Sequence, residues 1–377
     1  MDKLRIGVIG VGGRGGIANH WRDSERARIV GGADITEAAL AEFKGRMGDD
    51  AFVTTDYRRL LERDDIDAVA VTAPDFKHEE YACAALEAGK HVFCEKPLAI
   101  STDGCDRILR AWKASGKHLM VGFNMRYMNV YRTMKEIMDS GAIGVPKAVW
   151  YRHFVGMGRT FYYQDWHATQ EGSYSLLLQK GSHDIDMIHW LTGQYTKRVV
   201  AIGSLDMFGG DKPNDLRCPE CDERHTCHEV ADCGRDQCCF RQEVDVEDNS
   251  MMLMELDGGI KASYLQCHYT PEYYRNCTII GTEGRVENLD MDRVIVKMRR
   301  SESWKELADR TYDIRPAVGG HGGADPVITE DFLDMVLEGK EPLATPIAGR
   351  MSVAAGCAAA YSLRNGNIPV DVPPIAW

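Results

Sequence analysis

Three side chains in this sequence have the chemistry to take a proton from a hydroxyl group: Lys96, Lys180 and His183. Lys96 stands in Cys94-Glu95-Lys96-Pro97, directly after the strand-like run His91-Val92-Phe93. A residue before proline is kept out of helical φ/ψ, so Lys96 is expected extended, projecting past the carboxyl end of a strand. In an open parallel sheet that end is where cofactor and substrate meet. Lys180 and His183 lie in Leu176-Leu177-Leu178-Gln179-Lys180-Gly181-Ser182-His183-Asp184-Ile185-Asp186, which leads into a helix through Trp190. Histidine titrates near neutrality unaided, whereas a lysine needs its pKa lowered from ~10.4 before it can act as a base there. A second lysine nearby pushes in that direction.

The elements that position Lys96 are legible upstream. Leu4 to Ile9 is a short apolar strand, followed at once by Gly10-Val11-Gly12-Gly13-Arg14-Gly15, a plausible helix from Ile17 to Arg22, and a second strand from Ala27 to Ala33. A G-x-G-x-x-G string in that context has a mechanism. Gly10 permits the tight turn, Gly12 lets backbone approach a pyrophosphate, and Gly15 lets helix pack on strand. Amide donors at the helix start complete the anion site. Asp34 ends the second strand and is expected to accept from an adenosine ribose. Its charge favours NAD over NADP, although Gly13 and Arg14 stand close enough for Arg14 to meet a phosphate. Strands at Ala68–Thr72, His91–Phe93 and Leu119–Phe123 alternate with helices at Glu79–Ala88 and Asp103–Ser115, which implies a doubly wound parallel sheet.

The glycine string, the Thr72-Ala73-Pro74…His78 turn, and Gly89-Lys90-His91-Val92-Phe93-Cys94-Glu95-Lys96-Pro97 together resemble the Gfo/Idh/MocA oxidoreductase family. The resemblance implies an N-terminal Rossmann domain (1–126) and an α+β C-terminal domain (127–377) with a large open, mainly antiparallel sheet. It implies an NAD-dependent oxidoreductase acting on a sugar or polyol hydroxyl, with Lys96 and His183 meeting across the nicotinamide as acid and base. Thr72, Pro74, His78, Glu95, Lys96 and Asn124 are expected along the cofactor. Lys96, Arg126, Arg152, His167, Gln179, Lys180 and His183 are expected along the substrate. The family's D-x-G-x-H-x-x-D pattern places its histidine on His183 and its last aspartate on Asp186, but its first aspartate is here Gln179. Gln179 can orient an imidazole without raising its proton affinity, so proton removal shifts toward Lys96, Lys180 or unaided His183. An alternative on the same scaffold is an NAD⁺-dependent glycoside hydrolase, which oxidises the sugar transiently, eliminates the aglycone, adds water and reduces again. Pairing into a homodimer or homotetramer through the open sheet is a further implication of the resemblance.

In the second half, Pro146–Val155, Lys197–Met207, Ser250–Leu256, Gly259–Tyr269, Cys277–Gly281, Arg285–Leu289 and Val294–Met298 read as strands, with Asp257-Gly258-Gly259 as a hairpin connection. Two late helices are expected, about Val327–Leu337 and Ala348–Arg364. Between Pro146 and His183 the charged residues are Lys147, Arg152, Arg159 and Lys180 against Asp165 and Glu171. That basic excess suggests an anionic sugar, since a cleft of one sign concentrates ligands of the other. The whole chain of 377 residues carries a formal net charge of −12, which argues against nucleic-acid binding or polybasic membrane attachment. No apolar run approaches the ~18 residues that span a bilayer. The start runs straight into a strand, and the expected location is cytoplasmic. Six of the 12 cysteines fall between Cys218 and Cys239, in an insert at about 212–242. Cys218-Pro-Glu-Cys221 has the spacing of a zinc knuckle, and Cys218, Cys221, Cys227 and Cys233 are the candidate ligands of a structural zinc. Disulfides or free thiols are the alternatives.

Overall fold

The computed structural model describes residues 3–231, 234–315 and 317–377. The chain forms two compact units, the first from Met1–Tyr131, Pro316–Val353 and Pro374–Trp377, the second from Arg132–Arg315 and Ala354–Pro373. The first unit therefore draws on chain well beyond residue 126.

In the first unit, six parallel strands are ordered β3-β2-β1-β4-β5-β6: β1 Leu4–Ile9, β2 Ala27–Ala33, β3 Phe52–Thr54, β4 Ala68–Val71, β5 His91–Cys94 and β6 Leu119–Val121. β4 is Ala-Val-Ala-Val, buried throughout, as expected for a strand covered on both faces. The strand order reverses direction beside β1, which makes the β1/β4 boundary the switch point where such sheets open a crevice. The expected helix after β5 is present as Thr102–Ser115, started by the Ser101 hydroxyl accepting from the Gly104 amide at 3.0 Å and ended at Gly116 in the left-handed region. The returning helix Gly320–Glu338 packs here too. Its Phe332 ring meets Trp21 and Phe93 at 5.6 and 5.7 Å between centroids, and the Trp21 indole donates to the Thr329 carbonyl at 3.1 Å. That helix opens with His321, Gly322 and Gly323 all at positive φ, an irregular start preceding the expected 327–337 span.

The second unit is built on nine strands ordered β14-β13-β12-β11-β7-β10-β9-β8-β15. These are β7 Pro146–Phe154, β8 Thr196–Ser204, β9 Asn249–Leu256, β10 Lys261–Cys267, β11 Tyr274–Gly281, β12 Gly284–Asn288, β13 Arg293–Met298, β14 Arg310–Asp313 and β15 Val370–Asp371. All neighbours run antiparallel except β7 and β10, which are parallel with Tyr151 opposite Tyr264. Alternation along the strands gives the sheet two unlike faces. Val149, Tyr151 and His153 of β7, and Ala262, Tyr264 and Gln266 of β10, are buried. Beneath the same face lies the helix Gly181–Thr192, whose Asp184 bonds His153 and Tyr264. The other face carries Trp150, Ile202, Leu253 and Ile280, each about half exposed. β14 and β15 are short and border polar turns, whereas the helix Asn129–Asp139, though strongly amphipathic, lies outside the elements expected from the sequence.

Candidate active site

The first unit's share of the site is organised by the glycine loop. Gly10 has φ of 88°, and a Cβ there would lie 2.5 Å from the Ala73 nitrogen. A Cβ on Gly15 would lie 2.5 Å from the Gly10 oxygen. No larger residue fits either place. At Gly13 a Cβ would meet nothing within 4 Å, and at Gly12 nothing nearer than 3.8 Å. Those two glycines border open space, as a cradle for a pyrophosphate requires. Asp34 stands at the end of β2 with Oδ2 accepting from the Val11 amide at 3.0 Å and Oδ1 from Thr36 at 3.0 Å. Its carboxylate is held at the glycine loop itself, where it suits a ribose diol and opposes a 2′-phosphate. These residues fit NAD.

Thr72 ties the loop to β4, its hydroxyl donating to the Gly10 carbonyl at 2.7 Å. Pro74 precedes the 3₁₀ turn Asp75–Lys77. His78 is buried with its two ring nitrogens 2.9 Å from the Ala73 oxygen and 2.6 Å from the Pro97 oxygen. It therefore pins the Lys96-Pro97 loop from inside and presents no ring nitrogen to a cofactor. Burial lowers its pKa, against the two carbonyl bonds, which raise it.

Lys96 is half-buried, two residues past the end of β5, and its peptide bond to Pro97 is cis. The Glu95 carboxylate is 6% exposed and has two partners that matter. One oxygen accepts from Lys96's own amide at 3.0 Å, and the other accepts from Arg14 of the glycine loop. Arg14 also grips Asp325 with two bonds of 2.8 and 2.9 Å, and His321 Nδ1 lies 2.9 Å from that carboxylate. Burial pushes the Asp325 carboxyl upward, but His321 and Arg14 outweigh it and hold it well below the usual range. Arg14, expected as a possible partner of phosphate, is thus a brace between cofactor loop and catalytic strand end. Asn124 is buried with its amide 3.5 Å from Asp325. Arg126 is buried as well, its guanidinium donating to the Leu343 carbonyl; it holds the returning chain and does not line an open surface.

In the second unit, His183 is the third residue of the helix Gly181–Thr192 and is 7% exposed. A Cβ on Gly181 would come within 3.3 Å of the Tyr264 ring, so the helix start lies close against β10. Next to His183, Asp184 is fully buried and takes bonds from His153 Nδ1 at 2.8 Å and the Tyr264 hydroxyl at 2.7 Å, with Arg275 Nε at 3.0 Å. Burial pushes the Asp184 carboxyl up, yet Arg275 and then His153 reverse that and hold it well below the usual range. Burial and then Arg275 push His153 down to about 3, so the imidazole is neutral and donates to Asp184. This network, drawn from β7, β10 and β11, anchors the helix that carries His183. Gln179 is 4% exposed at the end of the helix Leu176–Gln179.

The Lys180 ammonium lies 5.3 Å above the Tyr162 ring, whose edge contacts bring in His167 at 6.3 Å and His268 at 5.2 Å. Lys180 and His167 are therefore brought together around Tyr162, a residue that carried no motif. Arg152 is not among them. It shares the outer face of β7 with Trp150 and Phe154, its guanidinium 5.1 Å from the Trp150 ring, opposite the face on which Asp184 contacts His153. Arg159 is buried in contact with the cysteine insert, bonding the Gln237 carbonyl at 3.1 Å and Cys218 Sγ at 3.0 Å. The basic excess that suggested an anionic sugar is thereby dispersed, because two of its four members point elsewhere. Cys233 lies outside the described residues. Among the described residues, no three His, Cys, Asp or Glu side chains stand in a metal-ligating arrangement. No helix is long and apolar enough to cross a membrane among the described residues.

Residues 4–123 match the family model for an oxidoreductase family NAD-binding Rossmann fold, and residues 135–372 match that family's C-terminal alpha/beta domain. The chain belongs to the Gfo/Idh/MocA oxidoreductase family. Within it, the chain is 37% identical over 337 residues to an inositol 2-dehydrogenase of Ralstonia nicotianae, covering 85% of this chain and 87% of that protein. It is 28% identical over 324 residues to an inositol 2-dehydrogenase of Burkholderia cenocepacia, covering 82% and 83%. The fold matches levoglucosan dehydrogenase in complex with NADH, with a TM-score of 0.82, 23% identity and coverage of 99% and 100%. This family member is thus an NAD-binding oxidoreductase.

Proposed function

We propose that this protein is an NAD-dependent dehydrogenase that oxidises a secondary hydroxyl of a neutral polyol or sugar. The observation that carries the reading is the Arg14–Glu95–Lys96 connection, which fixes the backbone of Lys96 relative to the loop built for the cofactor's phosphates. Lys96 takes the hydroxyl proton as its neutral amine. When bound between Gly10, Gly12, Gly13 and Asp34, NAD⁺ supplies the acceptor for the hydride leaving the same carbon. His183 and Lys180, the latter held over Tyr162, are the acid–base candidates that the second unit carries. Dispersal of the basic residues favours a neutral substrate of the inositol or anhydrosugar type, in keeping with the names of the relatives. The half-exposed apolar face formed by Trp150, Ile202, Leu253 and Ile280 supports association through that sheet, as a homodimer or a pair of dimers.

The test is incubation with NAD⁺ and myo-inositol, free hexoses, levoglucosan and hexuronates, followed by incubation with nitrophenyl glycosides. NADH formation with neutral polyols and little with uronates is the expected result. Aglycone release without NADH accumulation would establish the transient-oxidation glycosidase chemistry in its place, and preference for uronates would restore the anionic substrate.

A further inference from the structure

The cysteine insert is the one sequence feature that the oxidoreductase chemistry leaves unused. Its described residues have little regular structure: a 3₁₀ turn at Cys218–Glu220 and two isolated bridges, Lys212 with Arg241 and Arg217 with Gln237. A segment so poor in ladders and core is the kind that small domains secure with a covalent or metal staple. The backbone brings particular cysteines together. Across the antiparallel Arg217–Gln237 bridge, the Cys218 amide donates to the Asp236 carbonyl at 2.7 Å and the Cys238 amide to the Leu216 carbonyl at 2.9 Å. Cys218 and Cys221 sit on the two ends of a tight turn, the Cys221 amide donating to the Cys218 carbonyl at 3.3 Å. Cys218, Cys221, Cys227 and Cys238 all line one cavity of about 30 Å³, near the volume of a single water and thus room for one ion. None of them is in a disulfide. Cys239 lines the same cavity, but it is 1% exposed and packs with Tyr163, Phe208, Val244 and Val246 as part of a hydrophobic cluster. It is a core thiol.

A second observation points to charge at this cavity. Arg159, 5% exposed, reaches it from outside the insert and donates to Cys218 Sγ at 3.0 Å. Its remaining bonds go to the carbonyls of Arg235 and Gln237. A buried guanidinium wants an anionic partner, and a thiolate supplies one where a thiol does not.

We propose that Cys218, Cys221, Cys227 and Cys238 bind one zinc ion as a structural tetrathiolate. The thiols surround the cavity without standing at ligating distance, so binding draws the four sulfurs inward to about 2.3 Å from the metal and releases their protons to solvent. The doubly negative centre is offset by Arg159. What the site secures is the segment that carries Tyr162 and His167. Gln237, next to Cys238, accepts from Gln164 at 2.9 Å and bonds the Asp165 amide at 2.8 Å, while Arg241 donates to the Tyr163 carbonyl at 2.8 Å.

Elemental analysis of the intact protein, loaded with zinc and desalted, tests this independently of any activity. About one zinc per chain is expected, falling severalfold in C218S and C238S and unchanged in C239S. Because a cysteine variant can fail to fold, the wild-type protein stripped by a chelator is also titrated with Co²⁺, which should give the intense sulfur-to-cobalt absorption of a tetrahedral thiolate site, displaced by zinc. Substoichiometric zinc with no cobalt spectrum, full zinc in C238S, or a Cys218–Cys221 disulfide in non-reducing peptide mapping of freshly purified protein would each overturn the proposal.

Discussion

Lys96 and His183 each offer a nitrogen from the end of an element, but they are held by opposite means. Lys96 follows a strand of a parallel sheet whose order already directs strand ends to one crevice; its own amide donates to the adjacent Glu95, and Glu95 accepts from Arg14, 81 positions earlier. His183 rides on a helix start that is moored by its neighbour Asp184 to His153, Tyr264 and Arg275, residues 31 and 80 positions away in the first two cases. One arrangement separates chemistry from stability; the other merges them. A change at Lys96 should be felt in turnover alone, whereas a change at Asp184 should be felt in the fold before it is felt in the reaction.

The largest effect on chemistry is expected from Lys96→Met. Loss of the amine whose backbone is tied to the glycine loop through Glu95 and Arg14 should lower kcat/KM by roughly 10³-fold, the scale of a general base. NAD binding, measured by calorimetry, and the melting temperature should stay near wild type. A melting temperature that collapses with the activity would mean that Lys96 is a structural residue, and the contrast would fail.

Asp184→Ala should produce the complementary result. Removing one partner of a buried ion pair leaves Arg275 uncompensated, at a cost of about 3–5 kcal/mol. Denaturant unfolding should register that loss directly. Glu95→Gln keeps the shape of its site and should cost far less stability, while lowering kcat by roughly tenfold as Lys96 loses its orientation. If Glu95→Gln destabilises as much as Asp184→Ala, both segments are of one kind.

These two modes of support also explain what could be read in advance. The glycine loop, Asp34 and Glu95-Lys96-Pro97 are contiguous, and each residue type answers a local backbone or ligand requirement, so their placement was legible. The role of Arg14 was not, because its partner Asp325 arrives from 311 residues later in the chain. Tyr162 was missed because an aromatic residue under a lysine leaves no spacing pattern. Arg152 illustrates a related point: charge counted along a strand ignores that alternate residues face opposite sides, and Arg152 and His153 are divided by a single step. His78 and Arg126 looked like site residues because polar side chains beside motifs usually are; burial against carbonyls gave them a different task.

The moored segment should also reveal itself through pH. His153 and His268 are both pushed down to about 3, burial being the first cause for each, with Arg275 also lowering His153 and Lys180 lowering both. Unfolded, each titrates near ~6.5. Between those values the unfolded chain binds more protons than the folded one, so stability must fall as pH drops below about 6.5, by up to roughly 1.4 kcal/mol per pH unit for each histidine. Asp184 works in a lower window: its folded value is depressed, so its contribution is present above ~3.8 and is lost as pH falls below that. Melting curves from about pH 7 to 4.5 should decline steadily, and His268→Asn should make the decline shallower. A flat profile would show that these imidazoles are protonated inside the fold.

The smallest expected effect is the sharpest check on the two faces of the second sheet. Arg152→Ala removes a guanidinium that stacks on Trp150 on the side away from Asp184 and the His183 helix. Its kcat and KM for the polyol should remain within about twofold of wild type, and raising ionic strength should leave KM for a neutral substrate unchanged. His167→Ala, which breaks the ring contact with Tyr162 beneath Lys180, should raise KM by comparison. Should Arg152→Ala instead raise KM more than His167→Ala does, the substrate would lie on the outer face. The division between a reaction face and an association face would then have to be reversed.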